Sequence, residues 1–327
     1  GARFTRVYST SPVCAPSRSA LMTGWYATTT DMHNMRSHRD DDYRLPRGVR
    51  PITHLLADAG YHTANITHIG ERVVGTGKLD LNFVNEGPVY TGKEWSELKQ
   101  KQPFFAQINM PEAEYDIYDR KSAEKPRVKW VGEEWHPKVA TAENVTPPPY
   151  YPDHPVVREE WARYLNSVTG TDVRIGWILD QLEKDGLAEN TIVVFFADNG
   201  RLEARGIHWC FDSGLHVPMI ISYPEKMAAP RQVSPGRVNR QVLSLLDLTA
   251  TTLFMAMPAW AQTAGGGDFQ DFADKVEDLA HGPFGIGISI LALIIGCLVG
   301  LGRQSAAPAF LGLGIAGAFA VGPFMIK

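Results

Sequence analysis

The chain has 327 residues, which allows about two domains of ordinary size. Its 44% hydrophobic and 21% charged residues exclude wholesale disorder, and a net charge of -4 from 32 basic and 36 acidic side chains gives no electrostatic reason to expect a nucleic-acid partner. Three cysteines, Cys14, Cys210 and Cys297, are too few and too scattered for a disulfide framework.

The opening Gly1-Ala-Arg-Phe is neither an initiator methionine nor a signal peptide, so the first domain is expected to begin upstream. A short helix is predicted next: Pro16 suits a first turn, Leu21 and Met22 can face a core, and Gly24 can end it. Cys14 then stands at a helix N-terminus, where free N–H groups and the macrodipole favour an anionic substrate, and Arg18 is one turn further on. Read alone, Cys14 is equally a small buried hydrophobe. Ile52, Leu55, Leu56 and Ala59 follow helical spacing between Pro51 and a capping Gly60, and Tyr61–Thr67 reads as a strand. Seven prolines between Lys125 and Pro155 predict a long shaped surface loop. Val168, Ile175, Ile178, Leu179 and Leu182 write a second helix closed by Gly186, before the strand Thr191–Phe196, which is apolar on both faces. Such alternation predicts an α/β fold with a mostly parallel sheet sandwiched by helices and functional residues at the carboxyl ends of strands.

Composition changes abruptly near Leu253. Only eight charged residues follow, and Leu279–Gly302 and Gln304–Ile326 are uncharged runs of 24 and 23 residues. Each is long enough to span a bilayer, which takes about 20 residues, and both are rich in Gly and Ala, so a membrane hairpin turning at Arg303 is predicted. A pair of buried helices in a soluble protein is the alternative. Residues 254–262, ending Ala259-Trp-Ala261-Gln262, look like a leader with its cleavage site. The expected divisions are therefore 1–253, 254–262 and 263–327, with the two main parts joined as a chimera.

The run Cys14-x-Pro16-Ser17-Arg18, followed by Leu21-Met-Thr-Gly24, resembles the signature of the type I sulfatases of the alkaline phosphatase superfamily. The resemblance spans about residues 4–253. It implies that Cys14 becomes Cα-formylglycine through a formylglycine-generating enzyme that reads Pro16 and Arg18. It also implies that the aldehyde hydrate, activated by a divalent metal, attacks the sulfur of a sulfate ester, after which its second hydroxyl loses a proton and expels sulfate. Asp198-Asn199-Gly200, directly after the apolar strand, is similar to the family's metal motif. Asp198 and Asn199, with the modified Cys14, are thereby implied as ligands of Ca2+, or of Mg2+. By themselves, Asp-Asn-Gly also read as an ordinary turn. Gly75-Thr-Gly77-Lys78 resembles the family's sulfate-binding lysine motif, although an isolated lysine is by default a solvated one. His33 stands between a site residue and a structural histidine. Trp209–Ile221 and the proline-rich Val145–Asp153 resemble the strand after the metal motif and the loop before a long helix.

The chain also departs from the family pattern. No aspartate pair precedes Cys14, Asp80 stands where a histidine is expected after Lys78, and Glu112 and Glu114 lie where another histidine should. His208 is near, but one position away from, the place of a second lysine, and is the substitute catalytic candidate. The tail from 254 to 327 resembles the conjugative pilins of type IV secretion systems. Together these imply a sulfuric ester hydrolase, periplasmic or secreted and expected to be impaired in this form, joined to an inner-membrane tail that contacts lipid. The alternatives are a membrane structural subunit with an inert globular part, or a phosphoesterase of the same superfamily. The alcohol of the sulfate ester is not legible.

Overall fold

A computed structural model describes residues 1–36, 41–70, 72–110, 112–113, 139–225 and 234–253. The chain divides into two units. One comprises Gly1–Val13, Tyr61–Leu79 and Tyr90–Val242, the other Cys14–Gly60, Asp80–Val89 and the chain from Leu243.

The first unit carries β1 (Ala2–Tyr8), β2 (His62–Ile69), β3 (Val73–Val74), β4 (Gly92–Glu94), β5 (Phe104–Ile108), β6 (Val193–Phe196), β7 (His216–Ser222) and β8 (Val238–Asn239). One of its sheets runs β6-β7-β1-β8. Strand β7 is antiparallel to both β6 and β1, so β6 and β1 run parallel to each other and end at the same edge. In the other sheet β2 is parallel to β4 and β5 and antiparallel to β3. The sheets are therefore mixed, where a mostly parallel sheet was expected. The reason lies in residues 197–215, which contain only one helical turn (Asp212–Leu215). A parallel return is usually made through a full helix.

The long helix Pro155–Lys184 begins with Pro155 at its first turn and with the His154 ring accepting from the Val156 N–H at 3.3 Å. It ends at Gly186, whose φ of 69° suits glycine. Ile178 and Leu182 pack on a core of Ala64, Ile66, Ile69, Val73, Leu98 and Leu187. The predicted apolar stripe is only half right, since Val168 and Leu179 are exposed. Asn166, Thr171 and Arg174 are buried in their stead. Arg174 can be inward because its Nη1 lies 2.6 Å from Glu112 Oε1, with both side chains 0% exposed, and Nη1 also donates to the Val74 carbonyl at 3.1 Å. Burial pushes the Glu112 carboxyl up from its ordinary range, and the Arg174 guanidinium pulls it back.

In the second unit the helices are Cys14–Thr23 and Ile52–Asp58. The first starts at Cys14 and stops at Gly24 (φ 74°), whose N–H reaches the Ala20 carbonyl at 2.8 Å. Fully buried Asn82 holds this unit together: its N–H donates to Ser19 Oγ at 2.8 Å, and its Nδ2 donates to the carbonyls of Met32 (2.8 Å) and Asn34 (2.6 Å). Residues 245–253 are helical. The leader-like segment and the hairpin lie outside the described residues, as do Pro126 and Pro137 of the shaped loop, whose described part, 139–154, contains no helix or strand. Among the described residues no helix is long and apolar enough to cross a membrane.

Removing one partner of a buried ion pair typically costs about 3–5 kcal/mol, so Arg174→Met is expected to destabilise the chain by about that much at neutral pH in urea titrations. Because the folded state holds the Glu112 proton more tightly than the unfolded chain, stability is greatest below the ordinary glutamate pKa of about 4.3 and falls as pH rises. The deficit of Arg174→Met is therefore expected to shrink in acid. A deficit independent of pH would contradict the pairing.

Candidate active site

The first unit brings two strand ends together through the segment that leads to Cys14. Just past β1, buried Ser9 shares its hydroxyl proton between the carbonyls of Ser11 (2.6 Å) and Asp198 (2.7 Å), and its N–H donates to Leu215 O at 2.8 Å. Further along, the Pro12 carbonyl accepts from the His208 N–H at 2.8 Å. Asp198, the His208 loop and residues 9–12 thus form one hydrogen-bonded cluster at the common edge of β1 and β6, and Cys14 is the second residue after Pro12.

Asp198 and Asn199 follow β6 as predicted, and both are half-buried. Asn199 Nδ2 donates to the Gly200 carbonyl at 2.7 Å, while the buried Asn199 Oδ1 has no donor among the described residues. A buried amide oxygen without a donor costs about 1–3 kcal/mol, and a hard cation would relieve that cost. Asn199 and its carboxylate neighbour fit such an ion as part of its shell. Among the described residues, no three His, Cys, Asp or Glu side chains gather around a metal position.

The Asp198 loop is closely built. Gly200 donates to the Gly214 carbonyl at 2.8 Å, Ile207 to that of Arg201 at 2.7 Å, and Ser213 Oγ to that of Arg205 at 2.6 Å. His208 is exposed and turns at φ 70°, a left-handed conformation uncommon outside glycine.

Lys78 is half-buried after Gly77 (φ 63°), with its N–H on Thr76 Oγ1 at 3.2 Å. Its approach is fixed by a relay that the sequence did not reveal. The Tyr90 hydroxyl donates to Gln107 (2.8 Å), Gln107 to Asn109 (3.0 Å), Asn109 to Asn65 (3.0 Å), and Asn65 to the Gly77 carbonyl (2.9 Å). All donors point one way, which lets each bond polarise the next. The alternation of β2 and β5 was the available signal, since Asn65, Gln107 and Asn109 interrupt apolar strands.

The second unit holds the other predicted residues. Cys14 is 4% exposed at the start of its helix, and Arg18 is half-buried one turn on. His33 is exposed, its Nδ1 3.6 Å from Asp31 Oδ1, on the turn that Asn82 grips at Met32 and Asn34. Cys14, Arg18 and His33 thus lie in one unit, and Lys78, Asp198, Asn199 and His208 in the other.

An aromatic cluster beside the Asp198 loop also went unpredicted. The Arg201 guanidinium lies over Trp161 (5.2 Å), Tyr150 (5.7 Å) and Tyr151 (5.9 Å), and donates to the Tyr150 hydroxyl. Burial raises the Tyr151 and Tyr164 hydroxyl pKa values, with Glu203 adding to the second. The rings fall within residues 150–164, but the Arg201 that gathers them lies about 40 residues further on, so no local pattern announces the cluster.

The described strands and helices make an α/β fold. The sulfatase family model matches residues 1–256, and this chain belongs to the sulfatase family. A second model, of the TrbC/VIRB2 pilins, matches residues 236–323. The chain is 30% identical to an ulvan-active sulfatase of Formosa agariphila over 77% of this chain and 46% of that protein. It is 24% identical to human N-sulphoglucosamine sulphohydrolase, over 76% and 53% respectively. The chain thus spans about half the length of these relatives. In fold it is similar to the phosphonate monoester hydrolase of Agrobacterium radiobacter, with a TM-score of 0.50 at 14% identity, covering 79% of this chain and 67% of that one.

For Asn199→Ala, the loss of the Gly200 bond and the removal of the orphaned oxygen nearly offset each other. Without divalent ions its stability is expected within about 1 kcal/mol of wild type. Any rise in melting temperature that Ca2+ gives the wild type should be lost in the variant. A large destabilisation in EDTA would show that Oδ1 already has a structural partner.

Proposed function

We propose that residues 1–253 carry the core of a sulfuric ester hydrolase that cleaves sulfate monoesters. The observation that carries this reading is the position of Cys14, first residue of its helix within Cys14-x-Pro16-Ser17-Arg18 and next in the chain to the segment that Asp198 and His208 hold. Conversion to formylglycine would give residue 14 a hydrated aldehyde, whose two hydroxyls provide one for attack and one for release of sulfate. A divalent cation at Asp198 and Asn199, Ca2+ by the hardness of these oxygens with Mg2+ as the alternative, would supply charge neutralisation.

The chain's own residues do the rest. The first-turn N–H groups of the Cys14 helix favour the sulfate anion, and Arg18 adds positive charge from the same helix. Lys78, aimed by the amide relay, balances charge on the departing oxygen. His208 and His33 are the proton carriers, imidazole being the side chain most often used for general acid–base work. The relatives named for ulvan and for N-sulphoglucosamine support a sulfated sugar as substrate. We further propose a periplasmic or secreted place for this part, with the tail a pilin-like hairpin in the inner membrane behind the leader-like 254–262. The pilin match and the uncharged runs support that assignment.

Co-expression with a formylglycine-generating enzyme is expected to convert Cys14, giving a tryptic peptide with the aldehyde mass, and Pro16→Ala or Arg18→Ala should abolish conversion. An unmodified Cys14 under those conditions would contradict the proposed chemistry.

A further inference from the structure

His62, the first residue of β2, belongs to no part of the candidate active site, yet its ring is held with care. The His62 backbone N–H donates to the Pro103 carbonyl at 2.9 Å, and the side chain is only 8% exposed. Its Nδ1 lies 3.1 Å from the Thr91 hydroxyl. That hydroxyl already accepts from the Thr63 N–H and donates to the Thr63 carbonyl, both at 2.9 Å. A hydroxyl has one proton and two lone pairs, so what remains for His62 is a lone pair, and Nδ1 must donate to it. Hydrogen bonding thus assigns the proton to Nδ1 and leaves Nε2 with a lone pair. Nε2 is buried and has no hydrogen-bond partner among the described residues.

What faces Nε2 is a second acceptor. Glu97 Oε2 is 3.6 Å away, past the reach of about 3.2 Å for an N–H···O bond. The other carboxylate oxygen takes the Lys101 ammonium at 2.5 Å, which holds the Glu97 carboxyl below its ordinary range and keeps it an anion at neutral pH. Gly92 leaves the gap between the two acceptors open, since a Cβ at that position would stand 2.5 Å from Glu97 Oε2 and 2.8 Å from His62 Nε2. The single 3-10 turn Trp95–Glu97 that carries the carboxylate is fixed as well. Its Trp95 indole N–H donates to Asp185 Oδ2 at 2.7 Å, and Leu98 just after it is 1% exposed.

We propose that His62 Nε2 and Glu97 Oε2 bind a zinc ion, with water in its remaining positions, clipping the start of β2 to the turn after β4. Two acceptors face to face repel unless a cation lies between them, and geometry selects which cation. Tetrahedral zinc with bonds of about 2.1 Å sets neighbouring donors about 3.4 Å apart, close to the 3.6 Å found; octahedral Mg2+ at the same bond length sets them about 3.0 Å apart. Imidazole beside a carboxylate suits Zn2+, whereas Ca2+ and Mg2+ take oxygen donors. Thr91 is the outer partner that fixes the tautomer of a metal-bound histidine through its other ring nitrogen. With two protein ligands, and a carboxylate whose charge is shared with Lys101, the site is weaker than a four-ligand structural zinc site.

Calorimetric titration of the untagged full chain with zinc chloride, with excess Ca2+ present throughout, tests this. The wild type is expected to bind a Zn2+ ion whose affinity falls about tenfold or more in His62→Gln and in Glu97→Gln, with melting temperatures in EDTA like that of the wild type. Gly92→Ala, which fills the gap and keeps both donors, should weaken binding as much. Thr91→Val, which removes only the outer partner, should weaken it about tenfold. Should these variants fold poorly, Co2+ bound to the wild type gives a second measurement: the strong visible absorption of a tetrahedral ion is expected, displaced by Zn2+. Absence of Zn2+ binding by the wild type, affinity unchanged in His62→Gln and Glu97→Gln, or a weak octahedral Co2+ spectrum overturns the proposal.

Discussion

One buried hydroxyl organises the candidate site. β1 and β6 are not neighbours; β7 lies between them, and their ends share an edge only because each is antiparallel to it. Ser9 closes that gap with its bond to the Asp198 carbonyl, while its own N–H is fixed on Leu215 just ahead of β7. The His208 N–H on the Pro12 carbonyl is a second tie between the same two segments. A hydrogen bond of this kind is worth only about 1 kcal/mol net. The importance of the Ser9 bond is geometric, since it ties the end of β1 to the end of β6.

Around this clasp the chain treats polar groups in two ways. The relay from Tyr90 to Gly77 satisfies donor after donor, giving a rigid approach to Lys78. The Asp198 loop instead keeps an orphaned oxygen on Asn199 and left-handed backbone at Arg205 and His208. Such departures cost stability and collect where a site must present atoms to something else. The ion pair of Glu112 with Arg174 stands between the two, balanced in charge, yet with Glu112 Oε2 lacking a hydrogen-bond donor among the described residues.

Much of this was legible before the fold was known, and the reasons differ by element. Cys14 at a helix start, the stop at Gly24, the strand before Asp198 and the cap at Gly186 are local features written in proline, glycine and apolar runs. The direction of β7 was not legible, because it depends on how residues 197–215 turn back. The inward face of the long helix was misread at Val168 and Leu179, since a buried arginine is invisible to a hydrophobic pattern when its partner is about 60 residues away. Ser9, Asn65 and the aromatic cluster were missed for the same reason: each acts across a long sequence separation. The predicted hairpin and leader lie outside the described residues.

Hydrogen exchange of the full chain, compared between wild type and Ser9→Ala, tests most directly whether the two strand ends behave as one. The clasp predicts that amides in residues 9–13 and 198–200 lose protection together and by similar factors, with β2 and β5 unchanged. Loss confined to residues 9–13, with 198–200 as protected as before, would contradict it.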